Sequence, residues 1–129
     1  VRLPLVALVL VVAGCASTHD LSRGPSAWGG GVYRETLQPG LHWIVVRSNV
    51  APWTNQHTVG VQWQAEAARL CGGGHRALRL EDRIAQEHAP LSLVVVSLPY
   101  LITVRKGYAL CDSSGLSVEQ AERIIDARP

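Results

Sequence analysis

Cys71 and His75 stand in the spacing C-x3-H, and Cys111 follows near the end of the chain, so the first chemistry to weigh is a zinc site. The spacing falls in the loose range for such ligands, but no second paired motif accompanies it. Gly72, Gly73 and Gly74 also separate His75 from Cys71 without a rigid frame. A cysteine nucleophile at 71 or 111 would need a thiolate stabilised by a helix N-terminus or a cation. Cys71 instead ends a helical pattern, where the dipole opposes a thiolate. His57, near the start of that pattern, reads as a surface or packing histidine rather than a base. Glu81 and Asp82 are adjacent, which on a strand sends them to opposite faces and bars an acid–base pair. Neither glycine run carries the Gly-Lys-Ser/Thr sequence of a phosphate loop. Arg76, Arg79, Arg83, Arg105 and Lys106 form a basic strip if their strands pair, but Glu81 and Glu87 lie among them, which favours a solvated face. No catalytic residues, no metal and no cofactor are therefore expected.

Composition sets the frame for these residues. The 129-residue chain is 47% hydrophobic and 17% charged, enough for one packed domain. It holds no Phe and no Met, so the core rests on Leu, Val, Ile, Ala and four Trp. A net charge of +2, scattered along the chain, gives no nucleic-acid footprint.

The elements that must position the candidate residues follow from periodicity. "VYRETL", Pro39-Gly40 and "LHWIVVRS" predict two strands around a turn. In the second, Leu41, Trp43 and Val45 share one face and His42, Ile44 and Val46 the other. Both faces are largely apolar, so a central strand is expected. Pro52 bars helix just before it, and Thr54 or Asn55 can cap the next segment. There Val59, Trp63, Ala67, Leu70 and Cys71 recur at helical spacing, and the glycines at 72–74 end the helix. Gly60 costs that helix about 1 kcal/mol relative to Ala.

"HRALRLEDRIAQ" alternates with Leu78, Leu80 and Ile84 on one face, as in a half-exposed strand. "LPYLITVRKGYALC" is a further strand with Ile102, Val104, Tyr108 and Leu110 facing in, and Lys106-Gly107 suggests a bulge or twist in it. Residues 88–98 read either as an extra short strand or as an apolar loop. Ser117 and Gln120 form a capping-box pair that opens a short terminal helix. The order is β-β-α-β-β-α. It predicts an α+β two-layer sandwich, with an antiparallel sheet of about four strands, one long helix packed on it and a short C-terminal helix.

The N-terminus carries a different signal. Arg2 precedes an apolar run from Leu3 to Val12, whose ten residues would rise about 15 Å as helix, half a ~30 Å hydrocarbon core. That length suits a secretory leader rather than a span. Val12-Ala13-Gly14-Cys15 then resembles the lipobox of bacterial lipoproteins. The resemblance implies a signal peptide over 1–14, with Val12, Ala13 and Gly14 recognised by the signal peptidase, and a diacylglycerol on the sulfur of Cys15. Single acyl chains hold weakly and two or three hold firmly, so the membrane partner is reached through the lipid. Ala16, where an Asp tends to retain such proteins at the inner membrane, implies the outer membrane, facing the periplasm. With Cys15 lipidated, Cys71 and Cys111 remain as an even pair in an oxidising compartment, and a disulfide is favoured over zinc.

Residues 16–31, rich in Ser, Gly, Ala and Pro, then read as a flexible tether that follows the lipidated Cys15. Trp28 within it sits either at the membrane interface or on the domain. Residues 32–129 form the single periplasmic domain. Short stretches of that domain are similar to those of small proteobacterial envelope lipoproteins: Gly29 to Tyr33, Arg47 to Asn49, Cys71-Gly72 and Gly107 to Cys111. That group brings no activity with it. The expected function is a lipid-anchored envelope protein with a small non-catalytic binding or structural domain and an envelope protein as partner. The alternatives are an envelope stress or redox sensor signalling through the cysteine pair, and a small hydrolase or metal-binding protein.

Overall fold

The computed structural model describes residues 17–86 and 101–129. Its elements are β1 (Gly31–Gln38), β2 (Leu41–Arg47), α1 (Gln56–Cys71), β3 (His75–Gln86), β4 (Leu101–Cys111) and α2 (Val118–Asp126). The four strands form one antiparallel sheet in the order β1-β2-β4-β3. This is the expected α+β arrangement. Residues 88–98 and the Val12–Cys15 motif lie outside the described residues.

β2 is central, as its two apolar faces require. On one face Ile44 and Val46 join Val32, Ala109 and the Val59, Trp63 and Ala67 stripe of α1. On the other, Leu41 joins Leu78, Tyr108 and Leu110 beneath Ala121 and Ile125 of α2. The two helices thus cover opposite faces of the sheet, because a strand alternates its side chains and both sets here are apolar. The α2 terminus is built as its sequence demands: Ser117 Oγ accepts from the Gln120 amide at 3.1 Å and Gln120 Oε1 accepts from the Ser117 amide at 2.8 Å. Asn55 occupies the N-cap of α1, but its side chain makes no capping hydrogen bond.

α1 is pinned at both ends. At its start the Asn55 amide donates to Thr103 Oγ1 at 2.9 Å, and the Thr103 amide donates to Ser48 Oγ at 2.9 Å. All three residues are buried, so these bonds form away from competing water. At its end Gly72 takes the left-handed conformation with φ 65°, and Cys71 is bonded to Cys111 of β4. Midway, Gly60 lies under Arg105: a Cβ there would stand 2.6 Å from Arg105 Nη1.

The bulge expected in β4 at Lys106-Gly107 belongs instead to β3. β4 pairs with β2 without interruption from Leu110 to Val104, whereas the β3 register shifts between Leu78 and Glu81. Arg79 takes φ 49° there, and Gly107 faces the extra residue. The insertion reverses the alternation: Leu78 pairs with Tyr108 but Ile84 with Thr103, five residues away and on the other face. Leu78, Leu80 and Ile84 therefore do not share a face, and Leu80 and Ile84 are exposed.

Residues preceding β1 run along the domain. The Val32 amide donates to His19 O at 2.8 Å, and Gln62 Nε2 donates to Ser17 O at 2.7 Å. Trp28 is exposed. No helix among the described residues is long and apolar enough to cross a membrane.

Candidate functional site

The C-terminus of α1, the last residue of β4 and the start of β2 converge on one point. Cys71 and Cys111 form a disulfide there, with their Cα atoms 5.1 Å apart. The third member is His42, not His75: one ligand atom each of His42, Cys71 and Cys111 lies within 4.8 Å of the others. His42 and Cys111 are buried beneath the helix end, and Cys71 is partly exposed. Thr36, opposite His42 in β1, places its Oγ1 2.9 Å from His42 Nδ1 and fixes the ring, leaving Nε2 as the other nitrogen. Burial holds the imidazole pKa below its ordinary value, so the ring is neutral at pH 7.

His75, which the sequence spacing had offered as a companion of Cys71, pairs with Cys111 in register but turns away. Its Nε2 lies 2.8 Å from Gln64 Oε1, and its ring meets the edge of Trp63 at 6.1 Å between centroids. The signal for His42 was present in the sequence. It alternates with Ile44 and Val46 on an inward face of the central strand, where a polar ring needs a partner.

The other candidate residues are dispersed. Arg79 donates to Glu122 Oε2 at 2.7 Å and Asp126 Oδ1 at 2.6 Å, across to α2. Arg105 grips both carboxylate oxygens of Asp82 at 2.6 Å on the α1 face. Lys106 pairs with Glu81 at 3.1 Å. Three of the five cations of the strip are thus paired with carboxylates, and Glu81 and Asp82 point to opposite faces, as adjacent strand residues must. The Arg105 guanidinium holds the Asp82 carboxyl below its usual pKa. His57 is exposed at the start of α1 and lines an open cleft of about 600 Å³ with Gln56, Val61, Gln64, Asp82 and Arg105. None of these groups places a nucleophile against a base.

Comparison with family models, with curated proteins and with solved structures finds no match for this chain.

Proposed function

We propose that this chain is a lipid-anchored protein of the bacterial cell envelope, held at the outer membrane through Cys15, whose periplasmic α+β domain binds or spaces a protein partner without catalysis. The observation that carries the reading is the Cys71–Cys111 disulfide. It uses both cysteines of the domain and suits an oxidising compartment. Cys15 is then the one cysteine of the sequence left over, directly after an apolar run and Val12-Ala13-Gly14. The ion pairs spread over both faces of the sheet suit a binding or spacing role. The open cleft beside α1, which exposes Val61, offers a surface for a partner.

Expression in a bacterial host with a radiolabelled fatty acid tests the anchor. The parent should incorporate label and fractionate with the outer membrane, and Cys15→Ala should incorporate none. Labelling of Cys15→Ala to the parent level ends the reading. Crosslinking in vivo from Val61 should then capture an envelope protein.

A further inference from the structure

Besides the disulfide itself, His42 is the unexplained member of the cluster: a buried histidine beside two sulfurs, on the face of the sheet that α1 covers. We propose that reduction of the Cys71–Cys111 bond creates a zinc site with Cys71, Cys111 and His42 as its three protein ligands, so that the bond switches between a covalent clamp and a metal clamp. The inference concerns the domain alone and stands whether or not Cys15 is lipidated.

The donor set is that of a thiophilic, borderline-soft dication: two thiolates and one imidazole. The site is largely pre-built. With the Cα atoms 5.1 Å apart, the sulfurs need part only to about 3.8 Å, the separation set by two ~2.3 Å Zn–S bonds in a tetrahedron. Turning the two Cα–Cβ bonds supplies that movement. Thr36 beside Nδ1 is the outer partner that ligating histidines commonly have, and it orients the ring before any metal arrives. Charge favours the metal as well. The last carbonyls of α1 oppose isolated thiolates, and a dication bound to the sulfurs removes the conflict. Three protein ligands leave a fourth position for water on the partly exposed Cys71 side.

The chemistry balances with one external couple, a protein or small-molecule dithiol. Its two thiols give two electrons and two protons to the Cys71–Cys111 bond and become a disulfide, while two thiols form in the domain. Zn²⁺ then forms two Zn–S bonds and one Zn–N bond, and the two thiol protons go to solvent. A disulfide oxidant reverses this: the domain sulfurs rejoin, the oxidant takes up the two electrons and two protons, and Zn²⁺ leaves.

The test uses the full chain with Cys15→Ala, in mild detergent, so that no third thiol competes. Oxidised and phosphine-reduced protein are titrated without oxygen with Zn²⁺ against a chromophoric chelator, and separately with Co²⁺. Reduced protein should bind one Zn²⁺ per chain at least a hundredfold more tightly than oxidised protein. Its Co²⁺ form should show thiolate charge-transfer and tetrahedral ligand-field bands. His42→Ala should weaken binding by about tenfold or more, at least the loss seen for an outer partner, and His75→Ala should not. If reduction unfolds the helices, Zn²⁺ should restore the circular dichroism of the parent but not of His42→Ala. The proposal is overturned if the reduced parent neither binds nor refolds with Zn²⁺, if oxidised protein binds equally well, or if His75→Ala rather than His42→Ala loses the metal.

Discussion

Trp63 Nε1 donates to the main-chain carbonyl of Ile44 at 3.2 Å, tying the middle of α1 to the central strand through a fully buried indole. The same ring fills the space between Val59 and Ala67 against Val32 and Val46. Burial and hydrogen bond can be separated by substitution. Trp63→Phe keeps most of the volume but removes the hydrogen bond to the Ile44 carbonyl, which costs about 0.5–1.5 kcal/mol. Trp63→Ala adds a cavity and should cost about 3–5 kcal/mol, comparable to the whole stability of a small domain. Urea denaturation checks both, and near-parental stability of Trp63→Ala would contradict this packing.

The disulfide joins residues 40 apart in sequence, for which chain entropy gives roughly 4 kcal/mol. One kcal/mol moves the melting point of a domain this size by about 4–8 °C. Cys71→Ser, or metal-free reduction, should therefore lower Tm by well over 10 °C. Protein purified from the periplasm should show no maleimide-reactive thiol at 71 or 111. Two reactive thiols in the native oxidised state would overturn the pairing.

Much of this architecture is written locally. The glycines after Cys71, the capping box at Ser117 and the doubly apolar β2 each act within a few residues, and each is where periodicity placed it. The bulge was not legible on the strand that carries it. An extra polar residue in an edge strand disturbs no apolar pattern, and Leu78-x-Leu80 looks regular until the partner register is known. Its visible trace was Gly107, on the neighbouring strand. The site divides in the same way. A cysteine pair can be inferred by counting, whereas His42 joins it only through the stacking of β2, β4 and α1, which sequence spacing does not encode.

Gly107 is small because β3 crosses close above it. A Cβ there would stand 2.9 Å from Leu80 Cδ1 and 3.1 Å from Leu80 Cα, and the latter is backbone that cannot step aside. Gly107→Ala should cost about 1–3 kcal/mol by overpacking. Arg79 supplies a complementary test, since its φ of 49° costs a non-glycine residue about 1–2 kcal/mol. Arg79→Ala and Arg79→Gly both lose the pairs with Glu122 and Asp126, but only Gly relieves the backbone. The glycine variant should be the more stable by about 0.5–1 kcal/mol after its greater unfolded-chain entropy is deducted. An alanine variant as stable as the glycine one would show that the bulge does not form at Arg79.

Glu66 joins two elements by charge: it accepts from Arg34 of β1 at 2.7 and 3.0 Å while Arg69 of its own helix approaches at 3.0 Å. Arg34 first, and Arg69 after it, hold the Glu66 carboxyl below its usual pKa against an opposing effect of burial. Asp82 is lowered in the same direction by Arg105. A carboxyl depressed in the folded state contributes its full stability above its unfolded pKa of about 4 and loses it as pH falls through the folded value. Tm should therefore be flat from pH 7 to about 5 as far as these groups are concerned, and fall steeply below about pH 4. Glu66→Gln, which cannot ionise, should be about 1–2 kcal/mol less stable than the parent at pH 7. The gap should close as acid protonates the parent's carboxyl. Melting curves of both proteins across this range decide it: a constant gap down to pH 2 would mean that Glu66 is not held ionised by Arg34.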